Sequence, residues 1–120
     1  MNEFILHATS QAAWSTAQEE GDYQAESLEV QGFIHCSTGD QISRVVNLFF
    51  TGQNELVLLV IDAARLTSKL RWEPGADLAT ELFPHIYGPI NLDSVVRTLE
   101  LKLGKDGKFL LPEFLDFLDD

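Results

Sequence analysis

The 120-residue sequence predicts an α+β fold in one domain, with a mixed and mostly antiparallel sheet and flanking helices. Three observations predict it. Apolar residues recur at helical spacing in the first half, residues 56–61 form a continuous run of branched side chains, and from Thr98 apolar and polar residues alternate strictly. With 45% hydrophobic residues, a chain of this length buries ~65–70% of its unfolded surface and needs no disulfide or metal staple.

Glu3 to His7 reads as a first strand. Thr9 or Ser10 offers the N-cap of a helix carrying Ala12, Ala13, Trp14 and Ala17, which Gly21 closes. An acidic stretch from Asp22 to Glu29 is broken at Gln31-Gly32, and Phe33 to Ser37 reads as a second strand ending in a turn. Asp40 is placed to cap a helix whose Ile42, Val45, Val46, Leu48 and Phe49 form one apolar stripe, ending at Gly52. Leu56 to Ile61 has the composition of a central strand covered on both faces.

Asp62 to Leu66 is a short turn, and Leu70 to Glu73 an edge strand stopped by Pro74-Gly75. Residues 74–82 read as a loop or broken helix. Residues 83–89 read as an extended piece whose two prolines suit it poorly to a central ladder. Leu99, Leu101 and Leu103 share one face of a half-buried strand, residues 104–107 turn, Lys108 to Leu111 return, and Pro112 starts a short helix to residue 118.

Eight Lys plus Arg against nineteen Asp plus Glu give a net charge of −11, and residues 1–60 hold one basic residue, Arg44, against eight acids. Binding of DNA or long RNA draws on clustered cations, and anionic membranes attract polybasic segments, so neither partner is expected. The lone Cys36 forms no internal disulfide, the amino terminus lacks the basic and apolar regions of a signal peptide, and the longest apolar run is six residues against the ~20 of a membrane helix. A cytoplasmic protein, monomeric or homodimeric, is the expectation.

Three histidines sit in apolar or aromatic surroundings: His7 at a strand end, His35 in Phe-Ile-His-Cys-Ser, and His85 in Phe-Pro-His-Ile-Tyr-Gly. Imidazoles exchange protons near neutrality, so several facing one cleft are chemically useful; each taken alone is better explained as a local residue held by a backbone carbonyl. Along a strand Ser37 shares a face with His35, while Cys36 points the other way and makes no nucleophilic pair with it. No His-x-x-x-His, Cys-x-x-Cys, Gly-rich phosphate loop or Gly-x-Ser-x-Gly elbow is present. Arg71, Trp72 and Glu73 put a cation, a ring and a carboxylate side by side, with Arg71 and Glu73 on one strand face. Tyr87, before Gly88-Pro89, supplies a ring and a hydroxyl at a loop mouth or anchors that loop.

Phe-Ile-Leu-His at 4–7, Trp14, Gly-Phe-Ile-His-Cys-Ser-Thr at 32–38, Gln41, the run at 56–62, Arg-Trp-Glu at 71–73 and Phe-Pro-His-Ile-Tyr-Gly-Pro-Ile at 83–90 resemble an uncharacterised bacterial family, the domain of unknown function numbered 952. The resemblance spans Phe4 to about Pro112. That family is similar to compact members of the ADP-ribosyltransferase-like fold, which includes the RNA 2′-phosphotransferases; this implies a split, mostly antiparallel sheet around a nicotinamide-nucleotide cleft. His7-Ala8-Thr9 matches the strand-one His-Gly-Thr motif of those relatives, with Ala8 where glycine is usual, and His35-Cys36-Ser37 resembles their His-x-Ser strand. No late carboxylate matches their catalytic glutamate, so Glu73 stands as the candidate.

The resulting expectation is a cleft formed by His7, Thr9, His35, Ser37, Glu73, His85 and Tyr87 that binds a nucleotide-like or other small anionic ligand. Arg44 and Arg71 are the expected phosphate partners, because guanidinium forks suit that geometry. As an enzyme it would transfer a group from a nicotinamide dinucleotide (NAD): His7 and His35 orient ribose and diphosphate, and Glu73 stabilises the oxocarbenium-like charge. A second expectation is a non-catalytic interaction module pairing through Phe114, Leu115, Phe117 and Leu118; a third is a metal-dependent hydrolase using the histidines.

Overall fold

Strand β4 (Glu55–Asp62) organises the chain because it is buried on both faces. The computed structural model describes residues 3–75 and 81–109. Antiparallel partners flank β4: β1 (Phe4–Thr9) on one side and β8 (Val95–Lys102) on the other. Alternation of side chains then splits the core in two. Val57, Leu59 and Ile61, with Ile5, pack on Trp14 and Ala17 of helix α1 (Gln11–Glu20) and on Tyr23, Ile34 and Ile86. Leu56, Leu58 and Val60, with Leu6 and Ala8, pack on Ile42 and Val46 of helix α3 (Ile42–Phe49) and on Leu101 and Phe109.

A second sheet has the order β3 (Ile34–His35), β6 (Leu82–Tyr87), β5 (Lys69–Pro74), all antiparallel. Among the described residues one backbone pair joins the two sheets. Leu6 N–H donates to the Ser37 carbonyl at 2.7 Å and Ser37 N–H to the Leu6 carbonyl at 2.8 Å. Residues 34–37 therefore pair first with β6 and then with β1. A small ladder of β2 (Asp22–Tyr23) and β7 (Ile90–Asn91) completes the strands, and helix α2 (Glu26–Gln31) leads into β3. No helix among the described residues is long and apolar enough to cross a membrane.

The α+β class stands, with the helices interleaved among the early strands. Ser10 caps α1, its Oγ accepting from Ala13 N–H at 3.1 Å, and Gly21 ends it with a left-handed φ of 96°. Other expectations are corrected. The segment 83–89 contributes the central strand of the second sheet, not a peripheral piece: Pro84 lies opposite Cys36, at the end of β3, where its missing N–H forgoes one terminal bond while its carbonyl still accepts from Cys36 N–H at 3.0 Å. The strand expected over 33–37 keeps only two ladder residues because it changes sheets within that span. Asp40 does not cap α3. Gln41 precedes the helix, its Oε1 accepting from Thr38 N–H, and Asp40 takes the Thr38 hydroxyl. The α3 stripe is narrower than its sequence: Ile42 and Val46 are buried but Leu48 and Phe49 are exposed.

Three elements had no sequence signal. β2 and β7 are two residues each, and the six-residue α2 buries none of its own side chains, so neither period develops. β8 begins at Val95, before Thr98, across an irregularity opposite Val60 and Ile61. Leu103 pairs with Phe109 around the expected turn; residues 110–111 of the return strand and the helix expected over 112–118 lie outside the described residues.

Gly88 follows β6 where the chain passes Ser68. A Cβ there would lie 2.4 Å from Ser68 Oγ and 2.9 Å from Ser68 Cβ, and that hydroxyl donates to the Pro89 carbonyl at 2.7 Å. Gly88→Ala is expected to destabilise the fold by about 1–3 kcal/mol through overpacking, measured as a lowered midpoint in urea unfolding.

Candidate functional site

Where the two sheets meet, a cavity of about 430 Å³ opens beside residues 34–37. Its polar wall comes from His7, Gln31, His35, Ser37 and His85, and its apolar wall from Ile42, Val45, Phe49 and Phe50 around α3, with Phe83 of β6. This volume lies within the range of small-molecule sites, as does the pairing of a mostly apolar lining with a few convergent polar groups.

The three imidazoles have different partners, which separates their chemistry. His7 is 8% exposed, and its Nδ1 lies 2.6 Å from the His35 carbonyl. A carbonyl only accepts, so Nδ1 carries the proton. Nε2 then accepts from the Tyr23 hydroxyl at 2.8 Å, and the Thr9 hydroxyl, 2.9 Å away, donates to Tyr23 in turn. Burial holds this ring neutral, lowering its pKa to about 4, with the bond to His35 opposing the shift. With both nitrogens engaged, His7 has no lone pair for a ligand or a metal.

His35 is the accessible imidazole. Its Nε2–H donates to the Gln31 amide oxygen at 2.5 Å, and partial burial followed by the neighbouring His85 lowers its pKa. His85 is directly opposite His35 in the β3–β6 register, with ring centroids 5.3 Å apart. Its Nδ1–H donates to Glu73 Oε1 at 2.9 Å, and the same oxygen accepts from the Tyr87 hydroxyl at 2.5 Å. Those two donors, Tyr87 first, hold the Glu73 carboxyl below the usual carboxylate range, while the carboxylate pushes Tyr87 up. Arg71, opposite His85 in the β5–β6 register, sets its guanidinium 5.4 Å from the centre of the Tyr87 ring. Phe33 stacks on His85 with centroids 4.2 Å apart and planes 20° apart, and meets His35 edge-on.

Folding thus brings His7, His35, Ser37 and His85 to one cavity, with Glu73 and Tyr87 directly behind His85. Of the expected ligand contacts Ser37 and His85 line the cavity, whereas Thr9, Arg44, Arg71 and Tyr87 do not. Thr9 does not line the cavity; its hydroxyl is buried against Tyr23. Arg44 is on the outer side of α3 in a two-bond fork with Glu81, at 2.9 and 2.6 Å, which holds Glu81 below the usual carboxylate range. No Lys or Arg among the described residues lines the cavity, so Arg71 beside Tyr87 is the nearer candidate for an anionic group. Cys36 lines the cavity beside His35 but is 3% exposed, and burial raises its thiol pKa. Among the described residues no three His, Cys, Asp or Glu side chains form a cluster able to hold a metal.

Sequence reasoning missed Phe33, Gln31 and Tyr23. Phe33 was legible, since two residues before His35 on a strand means the same face. Gln31 and Tyr23 reach the site from α2 and β2, which carried no pattern.

Together these features define an α+β domain with a histidine-lined cavity at a junction of two antiparallel sheets. The chain belongs to the family described as "Protein of unknown function (DUF952)", whose sequence model matches residues 8–98. No curated protein matches it. Among solved structures it is similar to the crystal structure of protein CC0527 from Caulobacter crescentus, at 34% identity and a TM-score of 0.83 over 94% of this chain and 98% of that one. The solution NMR structure of CC0527 matches at 34% identity with a TM-score of 0.75, covering 96% of each chain.

The protonation of His7 predicts an acid-side loss of stability. Above pH 6.5 the ring is neutral in both folded and unfolded chains and contributes no slope. Between pH 6.5 and about 4 the unfolded chain takes up a proton that the folded ring refuses, so stability falls with acidification, by on the order of 3 kcal/mol. His35, shifted the same way, adds to the slope. Urea midpoints at pH 7 and pH 4.5 should show this loss, and His7→Gln should reduce it.

Proposed function

We propose that this protein binds the nicotinamide-and-ribose part of a nicotinamide dinucleotide in the cavity and acts in the cytoplasm as a group transferase using it. One observation carries the reading: His35 and Ser37 from one segment and His85 from another, fifty residues away, converge on a cavity of about 430 Å³, with Phe33 stacked on His85. The lining contains aromatic rings and uncharged hydrogen-bonding groups but no cation, which suits a heterocycle and sugar better than a phosphate. The diphosphate would lie outside, toward Arg71.

Two antiparallel sheets joined through residues 34–37 support reading the fold as a compact ADP-ribosyltransferase-like one. In this assignment His35 and Ser37 hydrogen-bond the ligand, and His7 positions His35 through its carbonyl. Glu73, ionised and close to the polar wall, offsets positive charge at the anomeric carbon as nicotinamide leaves.

A thermal-shift screen with NAD, ADP-ribose, nicotinamide and mononucleotides tests this. A ligand at a hundred times its dissociation constant adds ~2.7 kcal/mol of stability, and His35→Ala should abolish that gain while leaving the unliganded melting temperature within a few degrees. A flat screen, or an unchanged response in His35→Ala, overturns the reading and favours a non-catalytic interaction module.

A further inference from the structure

Among the described residues, His85 is the only one of the three histidines hydrogen-bonded to a carboxylate. Glu73 accepts at Nδ1, so the proton of the neutral ring is on that nitrogen and the lone pair is on Nε2. Nε2 has no partner among the described residues, yet none of their buried polar side-chain atoms is left unpaired, so Nε2 keeps some accessibility, and His85 lines the cavity. Phe33 holds the plane of the ring from one face, and Tyr87 fixes the shared carboxylate oxygen from behind. The side chain is only 5% exposed, so a group reaching Nε2 has left most of its water behind.

His35 also offers a free nitrogen, since its Nε2–H is given to Gln31. Its partner is a neutral amide, which gains little when the ring takes a proton. A carboxylate does gain, because it faces the new imidazolium at hydrogen-bond distance. That difference in partner singles out His85 among the three.

We propose that Glu73 and His85 form a hydroxyl-activating dyad in which His85 Nε2 is the proton acceptor and the second substrate is a hydroxyl compound, an alcohol or water. This deepens the group-transfer reading and rests on it for the donor, a nicotinamide dinucleotide. The acceptor O–H bond breaks and its proton goes to Nε2. The oxygen forms a bond to the anomeric carbon while the carbon–nitrogen bond to nicotinamide breaks, and nicotinamide departs neutral with that electron pair. The His85 imidazolium, paired with Glu73, then releases its proton to solvent. Glu73 is a positioning residue for His85 in addition to its charge role.

Two measurements on the full chain test the dyad. Long-range proton–nitrogen NMR is expected to show His85 with its proton on Nδ1, moving toward Nε2 in Glu73→Gln; a wild-type ring protonated on Nε2, or one unmoved by the substitution, overturns the dyad. Nicotinamide release from NAD is expected to fall about 100-fold or more in His85→Ala and in the more conservative His85→Asn, with NAD binding by thermal shift retained. Azide, a nucleophile with no proton to remove, should restore release in both variants and yield ADP-ribosyl azide. Loss without azide rescue, or no loss, overturns His85 as the acceptor of the proton. If wild-type protein releases no nicotinamide while the Nδ1 tautomer is intact, the group-transfer reading fails and the assigned reaction falls with it.

Discussion

The site depends on a four-residue segment, 34–37, that belongs to two sheets. Ile34 and His35 pair with β6, and Ser37 pairs with β1 through two short backbone bonds to Leu6. Between them the His35 carbonyl, at the point of transfer, is taken by the His7 side chain at 2.6 Å. A buried carbonyl without a donor is costly, and a charged imidazole in that position is costlier still, so burial selects the neutral, Nδ1-protonated ring. Tyr23 and Thr9 complete that selection by satisfying Nε2. The junction is thus a polar seam inside an apolar core, fully paired among the described residues.

From that seam the roles of the three histidines diverge, although all are the same residue in similar local sequence. Partners decide the difference. A carbonyl and a hydroxyl make His7 structural, an amide leaves His35 an accessible hydrogen-bonding group, and a carboxylate turns His85 toward proton chemistry. The carboxylate comes from edge strand β5, two residues along from the position opposite His85, so the β5–β6 register is what makes the dyad. A one-residue slip would turn Glu73 to the other face of the sheet.

The apolar wall has its own physical source. Strand β4 takes up Ile42 and Val46 of α3 from below, leaving Val45, Phe49 and Phe50 at the cavity side of the helix. A helix stripe wider than its buried seam is what lets α3 both hold the core and wall the cavity. The similarity to CC0527 over nearly all of both chains extends this architecture to a second protein in the form of its fold.

Much of the fold was legible because it rests on local period and turn chemistry. The continuous run of β4, the alternation from Thr98, the Ser10 cap and the Gly21 stop are each decided within a few residues, and the motifs around His35 and His85 marked both site strands. Pro84 misled, since a proline at the end of a neighbouring ladder forgoes only one terminal bond, and where the neighbouring strand ends is not a local property. Arg44 misled for a similar reason: a guanidinium free in sequence was already committed to Glu81, thirty-seven residues away. The sequence by itself therefore determined which residue types and which strands were available; tertiary structure decided which nitrogen of each imidazole is occupied. Hydrogen-bond partners from distant segments set tautomer and charge, and no spacing along a chain encodes them.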